Sequence, residues 1–133
     1  QRHCESTPIV AKYLKNHPRV AWVNYPGLSG DKYYERAKKY LPKGCGGIFT
    51  FGIKGGIESG RRFIDSLKLF SLLANVSDVR SLVVHPASTT HAQLDAEALK
   101  TAGVSEDMIR LSIGLEATAD LIADLEQALE NSY

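Results

Sequence analysis

The sequence predicts an α/β domain with a small mixed or mainly antiparallel sheet and helices on one face. Segments with apolar residues at helical spacing alternate with short β-rich segments, in the order α-β-α-β-α-β-α-β-α. The last β-rich segment alternates between apolar and polar residues, which is typical of a strand with one buried face. The chain has 133 residues, 44% of them hydrophobic and 23% charged. This composition fits one folded domain over residues 1–133.

The first predicted elements are a helix, a strand and a turn. Thr7 and Pro8 offer an N-cap and a proline at the first helical position. The stripe that follows comprises Ile9, Val10, Tyr13, Leu14 and His17. Residues 20–25 are rich in β-branched and aromatic types and predict a strand. The pair Pro26-Gly27 suits the central positions of a type II turn.

Two further helices flank a strand that is predicted to be central. A helix starts near Asp31, with an apolar stripe of Tyr33, Tyr34, Ala37, Tyr40 and Leu41. Residues 48–53 are apolar on both faces, which predicts a strand with neighbours on both sides. After the turn at residues 54–56, a third helix carries a core stripe of Ile57, Gly60, Phe63, Ile64, Leu67 and Phe70.

The second half predicts a short strand at 81–85, a weak helix at 93–100, then a strand and a helix. From residue 109 onward the apolar set Ile109, Leu111, Ile113 and Leu115 alternates with polar or small residues. This spacing places Arg110 on the polar face of a half-buried strand. The final helix has Thr118 as its predicted N-cap and a buried stripe of Leu121, Ile122, Leu125 and Leu129.

Charge and hydropathy exclude several classes of partner. Sixteen basic residues against 15 acidic ones give a net charge of +1, so no nucleic acid or anionic membrane is expected as a partner. No apolar stretch approaches the roughly 20 residues that span a bilayer, and the N-terminal residues do not resemble a signal peptide. We therefore expect a cytoplasmic protein. Cys4 and Cys45 are far apart in sequence, which favours reduced thiols over a disulfide framework.

The motifs of the chain give no catalytic, cofactor-binding or metal-ligating residue by themselves. The glycine clusters at 44–47 and 52–56 lack both phosphate-loop patterns and are interpreted as turn and close-packing residues. His85 and His91 have no partners at metal-ligand spacing. Ser88 lacks the G-x-S-x-G elbow of a nucleophilic serine. Arg110 offers a planar fork for a carboxylate, but its spacing alone favours an ordinary solvated surface arginine.

Three ordered blocks of sequence alter that interpretation. They are LFSLLAN at 69–75, SLVVHPASTTH at 81–91 and IRLSIGLE at 109–116. They closely resemble the C-terminal domain of the Cys/Met-metabolism family of pyridoxal-phosphate enzymes of fold type I. The segments YPGL at 25–28, FGIKGG at 51–56 and RHCE at 2–5 also resemble this family, so the resemblance covers essentially the whole chain. Within the family the chain is most similar to O-acetylhomoserine sulfhydrylases.

The resemblance implies a substrate-binding role for three residues. Arg110 matches the arginine that binds the substrate α-carboxylate, Asn75 matches a neighbour that contacts that carboxylate, and Thr90 matches a threonine of the same site. The Schiff-base lysine and the other pyridoxal phosphate contacts match nothing here, and neither Lys54 nor Lys68 stands in the lysine motif. The resemblance thus implies that the cofactor binds a large N-terminal domain absent from this chain, and that the chain is inactive alone.

The resemblance further implies the activity and the assembly of the whole enzyme. It would replace the acetate of O-acetylhomoserine by sulfide or a thiol, giving homocysteine or methionine, and it would be a homotetramer. Two alternatives remain open from the sequence. One is the same domain of a cystathionine γ-synthase or lyase. The other is a free-standing α/β domain that binds amino acids or mediates assembly without chemistry of its own.

Overall fold

The fold is seen in a computed structural model that describes residues 2–72, 79–86, 95–101 and 105–132. The described part of the chain contains five helices and five strands. In chain order they are α1 (Arg2–Lys15), β1 (Val20–Asn24), α2 (Tyr34–Tyr40), β2 (Ile48–Ile53), α3 (Gly56–Ser66), β3 (Ser71–Leu72), β4 (Leu82–Val84), α4 (Ala96–Thr101), β5 (Met108–Ser112) and α5 (Thr118–Glu130).

The five strands form one sheet in the order β1-β2-β5-β4-β3. β2 is antiparallel to β1 and to β5, β4 is antiparallel to β5, and only the two-residue β3 runs parallel to its neighbour. The prediction of a mixed or mainly antiparallel sheet is therefore confirmed. The prediction that strand 48–53 is central is also confirmed, because β2 has those bounds and lies between β1 and β5.

One face of the sheet carries the helices and the main core. Phe51 of β2, Val83 of β4 and Leu111 of β5 lie on the same face and belong to one buried cluster with the apolar side chains of α1, α3 and α5. The helical members of that cluster are Val10, Ala11, Leu14, Phe63, Leu121, Leu125, Ala128 and Leu129. Burial of these side chains is the main stabilising contribution to the fold. It leaves the opposite face of the sheet without these three helices.

The first helix begins six residues earlier than predicted. α1 starts at Arg2 and includes Pro8, which the sequence placed at its first position. Tertiary contacts stabilise the added turns: the His3 ring lies 2.5 Å from the carbonyl oxygen of Ile113, and Arg2 donates to the carbonyl of Leu115. These contacts offset the backbone hydrogen bond that a proline inside a helix removes. The stripe also shifts, because Ile9 is exposed while Ala11 is buried.

The third helix ends earlier than predicted, at Ser66 instead of near Phe70. The buried carboxylate of Asp124 on α5 accepts the backbone N–H groups of Lys68, Leu69 and Phe70 at 2.8–3.3 Å. These donors therefore bind a side chain instead of continuing the helical ladder. Phe70 still reaches the core, from a loop. The short strand β3 that follows was not predicted, because two residues give no periodicity.

Two smaller predictions were wrong. Leu28 donates to the carbonyl of Tyr25 to close the turn after β1, but Gly27 lacks the positive φ that a type II turn requires. A Cβ at Gly27 would instead collide with the Tyr25 ring, at 2.6 Å. Thr118 is the first residue of α5, and Ala117 holds the N-cap position without a side-chain hydrogen bond.

The predicted apolar stripe of α2 is mostly exposed. Ala37 is its buried residue, whereas Tyr33, Tyr40 and Leu41 are exposed. The aromatic rings of this segment lie under lysine ammonium groups, with Lys38 Nζ 4.6 Å from the ring centre of Tyr34. Aromatic residues at helical spacing thus marked a lysine-covered surface instead of a core contact.

Candidate functional site: the open face of the sheet

Arg110 lies in the middle of β5, on the face opposite the main core. Its neighbours in sequence, Ile109 and Leu111, are completely buried on the helical side. Successive side chains of a strand point to opposite faces. The Arg110 side chain therefore lies on the face opposite α1, α3 and α5, which we call the open face. It is half-buried there. The predicted strand position of Arg110 is confirmed, although the strand ends at Ser112 and Leu115 beyond it is exposed.

A row of side chains crosses the open face at the level of Arg110. Arg110 pairs with Thr50 of β2 on one side and with Val84 of β4 on the other, and Thr50 pairs with Asn24 of β1. Directly opposed residues of antiparallel strands share a face and have Cβ atoms about 5 Å apart. Thr50 is therefore a direct polar neighbour of Arg110, and Asn24 is the next polar residue in the row. Local spacing gave no signal for them, because strand pairing joins residues distant in sequence.

Arg110 supplies the charge within the strands that the structure describes. Among the residues of the five described strands it is the only ionisable basic or acidic side chain. Asp107, three residues before Arg110 in the sequence, accepts a hydrogen bond of 3.0 Å from the indole N–H of Trp22. This hydrogen bond passes over Gly52, where any Cβ would overlap the indole. A half-buried guanidinium in an apolar sheet is matched in shape and charge to a carboxylate ligand.

A hydrogen-bond network fixes the ends of the two strands beside Arg110. Ser81, just before β4, donates to the Glu116 carboxylate through both its backbone N–H and its hydroxyl, each at 2.9 Å. The Ser81 hydroxyl oxygen also accepts the N–H of Gly114, at 2.8 Å. Ser81 is completely buried. The network ties the start of β4 to the segment after β5, and so limits the freedom of the backbone that carries Arg110.

Comparison with known proteins identifies the family. The sequence profile described as Cys/Met metabolism PLP-dependent enzyme matches residues 1–130. The chain belongs to this family. The family consists of enzymes that depend on pyridoxal phosphate. The resemblance seen in the three sequence blocks is confirmed.

Relatives in the family are about half identical to the chain over the aligned residues. The O-acetyl-L-homoserine sulfhydrylase of Leptospira meyeri is 53% identical over 132 residues, which are 98% of this chain and 30% of that protein. The O-acetyl-L-homoserine sulfhydrylase 1 of Thermus thermophilus is 54% identical over 129 residues, 97% of this chain and 31% of that protein. A homocysteine synthase of Schizosaccharomyces pombe is 48% identical, over 98% of this chain and 30% of that protein.

A solved structure in the same family has the same fold. The O-acetylhomoserine (thiol)-lyase of Campylobacter jejuni, which carries a pyridoxyl-lysine phosphate, superposes with a TM-score of 0.90 at 46% identity. The match covers 97% of this chain and 31% of that one. The chain thus spans about a third of the length of these family members.

Of the three predicted substrate-binding residues, the structure places one. Asn75 and Thr90 lie outside the described residues, so their roles stay predictions. His85 is completely buried, with Nε2 2.7 Å from the carbonyl oxygen of Glu106, beside Gly60 of α3. Within the described residues no group of three or more His, Cys, Asp and Glu side chains could hold a metal ion. None of the described helices is both long and apolar enough to span a membrane.

Neither Lys54 nor Lys68 lines a described cavity that could hold pyridoxal phosphate. Lys54, after β2, and Lys68, after α3, are both exposed and line none of the three described cavities. The amino group of a Schiff-base lysine has to face an enclosed cofactor. Gly55, which caps α3, is filled on its side-chain face by Ser59, so it leaves no cradle for a phosphate. The contribution of the described residues is therefore sought in substrate binding.

Proposed function

We propose that this chain is the C-terminal, substrate-binding domain of a pyridoxal-phosphate-dependent O-acetylhomoserine sulfhydrylase. The whole enzyme would replace the acetate of O-acetylhomoserine by sulfide or a thiol. The names of the relatives support this activity, and the coverage of about 30% of their length supports a separate large domain. We also propose, from the family resemblance alone, that the large domain binds the cofactor through its lysine and that the enzyme is a homotetramer. A cytoplasmic location, expected from the sequence, is part of the same proposal.

Within this activity, Arg110 binds the α-carboxylate of the amino-acid substrate. The observation that supports this role is the position of a half-buried guanidinium on a central strand, on the face opposite the main core and beside Thr50. A bidentate hydrogen-bonded pair fixes both the position and the orientation of a carboxylate. Asn75 and Thr90 are proposed, from the family resemblance, to complete the same site. The part of this domain in the reaction is thus to hold the α-carboxylate and so orient the substrate for the chemistry that the cofactor would supply.

The test is Arg110→Ala in the full-length enzyme. Each charge-assisted hydrogen bond contributes about 1.5–3 kcal/mol, so kcat/KM for O-acetylhomoserine should fall at least about tenfold. The loss should depend on the substrate carboxylate. With the α-carboxamide analogue of O-acetylhomoserine, the variant and the parent enzyme should differ little, because the carboxamide cannot form the ion pair.

Two variants separate binding from folding. Arg110→Lys keeps the charge but loses the planar fork, so it should recover only part of the activity. Arg61→Ala removes an exposed arginine of α3 and should leave kcat/KM unchanged. A near-normal kcat/KM for Arg110→Ala with the carboxylate substrate, or an equal loss with both substrates, would contradict the proposed role.

A further inference from the structure

The fold brings the two cysteines of the chain to one cavity. Cys4 lies on α1 and Cys45 lies in the loop before β2, yet both line the same cavity of about 320 Å³, together with Tyr25 and Lys38. Both thiols are half-buried and neither is in a disulfide. They are therefore close enough to one opening for a small reagent to reach both.

The backbone beside Cys45 is packed directly on Cys4. Gly44 has a positive φ of 134°, and a Cβ at this position would come within 2.7 Å of both Cβ and Sγ of Cys4. Consecutive Cα atoms are about 3.8 Å apart, so Cys45 lies one backbone step from that contact. On its other side, the Tyr25 hydroxyl donates to the carbonyl of Gly46 at 2.9 Å. The loop with Cys45 is thus held against Cys4.

The surroundings of Cys45 disfavour its thiolate form. Burial raises the pKa of the Cys45 thiol, and the neighbouring Cys4 sulfur raises this pKa further. Burial and both cysteines also raise the pKa of Tyr25, which keeps its hydroxyl a neutral donor. A protonated Cys45 is a poor first nucleophile, because the thiolate is the reactive form.

We propose that Cys4 and Cys45 form a thiol pair that hydrogen peroxide oxidises to a disulfide. The Cys4 thiolate attacks one peroxide oxygen, the O–O bond breaks, and the products are a sulfenic acid on Cys4 and, after protonation, one water. The Cys45 sulfur then attacks the Cys4 sulfur, forms the S–S bond and releases a second water. The two thiols together lose two electrons and two protons, and the peroxide is reduced to two waters.

The disulfide would connect α1 to the loop before β2 and enclose β1 and α2 in a covalent ring. Such a ring restricts the unfolded chain and so stabilises the fold. A dithiol reductant reverses it. The oxidation needs neither the cofactor nor the amino-acid substrate, so it can be measured without an activity assay and independently of the proposed function.

The experiment treats the reduced full-length enzyme with a small excess of hydrogen peroxide, blocks remaining thiols with N-ethylmaleimide and digests it with trypsin without reduction. Cleavage after Arg2, Lys12, Lys43 and Lys54 yields peptides 3–12 and 44–54. We expect mass spectrometry to find these two peptides joined, lighter than their sum by two hydrogens, and separated again by dithiothreitol. Unfolding of the oxidised enzyme should shift to higher temperature.

Single-serine variants test the order of the steps. In Cys45→Ser the reaction should stop at the sulfenic acid of Cys4, which dimedone traps. In Cys4→Ser oxidation of Cys45 should be at least about tenfold slower than in the parent enzyme. Three results would overturn the pair: both peptides recovered only as maleimide adducts, either cysteine joined to a different cysteine, or Cys45 oxidised equally fast without Cys4.

Discussion

Arg110 owes its position to the backbone of a central strand. β5 is hydrogen-bonded to β2 on one side and to β4 on the other. The side chains before and after Arg110 are locked in the core. A group held in this way has little backbone freedom to lose when a ligand binds, which favours affinity. An arginine on a flexible loop would lack this advantage.

His17 is a second residue whose chemistry the fold adjusts. Its Nδ1 accepts the backbone N–H of Arg19 at 3.1 Å, which requires the neutral ring. Nε2 lies 3.5 Å from a carboxylate oxygen of Glu126, a contact that favours the charged ring. Burial, assisted by the Arg19 guanidinium and opposed by Glu130, nevertheless lowers the pKa of His17 below its ordinary value of 6.5. The native fold therefore favours the neutral form.

This shift predicts a loss of stability in acid. Below pH 6.5 the unfolded chain binds a proton at His17 that the folded protein still excludes, so the free energy of unfolding falls as the pH drops. The fall continues until the pH reaches the lowered pKa of the native ring. Urea denaturation from about pH 7.5 to about pH 5 measures it. His17→Asn keeps an acceptor for Arg19 without titrating, and its stability should depend less on pH. An equal dependence in both proteins would refute this.

At the scale of elements, one carboxylate of α5 determines where α3 ends. Asp124 is 7% exposed and accepts three consecutive backbone N–H groups of the loop after α3. Gln127 supports it, donating to Asp124 at 3.0 Å and also to the carbonyl of Ser66. The last turn of one helix is thus terminated by side chains of another. This arrangement also places Phe70 in the core.

Removing this carboxylate should destabilise the fold strongly. Asp124→Ala leaves backbone donors of the loop without an ionised acceptor, and we expect the free energy of unfolding to fall by about 2–4 kcal/mol. Asp120→Ala, in the exposed first turn of the same helix, should cost at most about 1 kcal/mol through the helix dipole. Chemical denaturation of both variants gives the comparison. Similar losses in the two variants would show that the hydrogen bonds to Asp124 are not the cause.

At the scale of the whole molecule, the main core and the proposed substrate site use different faces of the sheet. The cluster formed with α1, α3 and α5 occupies one face, and the row of Asn24, Thr50 and Arg110 occupies the other. A substitution on the open face can therefore change binding without removing core contacts. The lysine that would carry the cofactor is proposed to belong to the rest of the enzyme.

The purified 133-residue chain should therefore be inactive. With pyridoxal phosphate, O-acetylhomoserine and sulfide it should release no acetate above the rate without protein, because the Schiff-base lysine is proposed to belong to the large domain. The full-length enzyme, assayed in parallel, should release acetate and form homocysteine. Acetate release by the chain alone that depends on pyridoxal phosphate would contradict the assignment of the cofactor site to another domain.

The sequence by itself determined the family, the fold class and the elements with strong periodicity. The apolar residues of 48–53 predicted the bounds of β2, and the alternation around Arg110 predicted its strand and its face. These signals are local, because a strand or helix repeats over a few residues. The resemblance added the proposed role of Arg110, which spacing alone did not favour.

Only the tertiary structure decided which distant residues meet. Thr50 and Val84 flank Arg110, Asp124 terminates α3, and Cys4 rests on the loop of Cys45. Each contact joins residues far apart in the chain, so it depends on strand register and helix packing, to which the whole core contributes. Local residue spacing does not predict these long-range contacts. Burial of the shared core determines which strand register and helix packing form them.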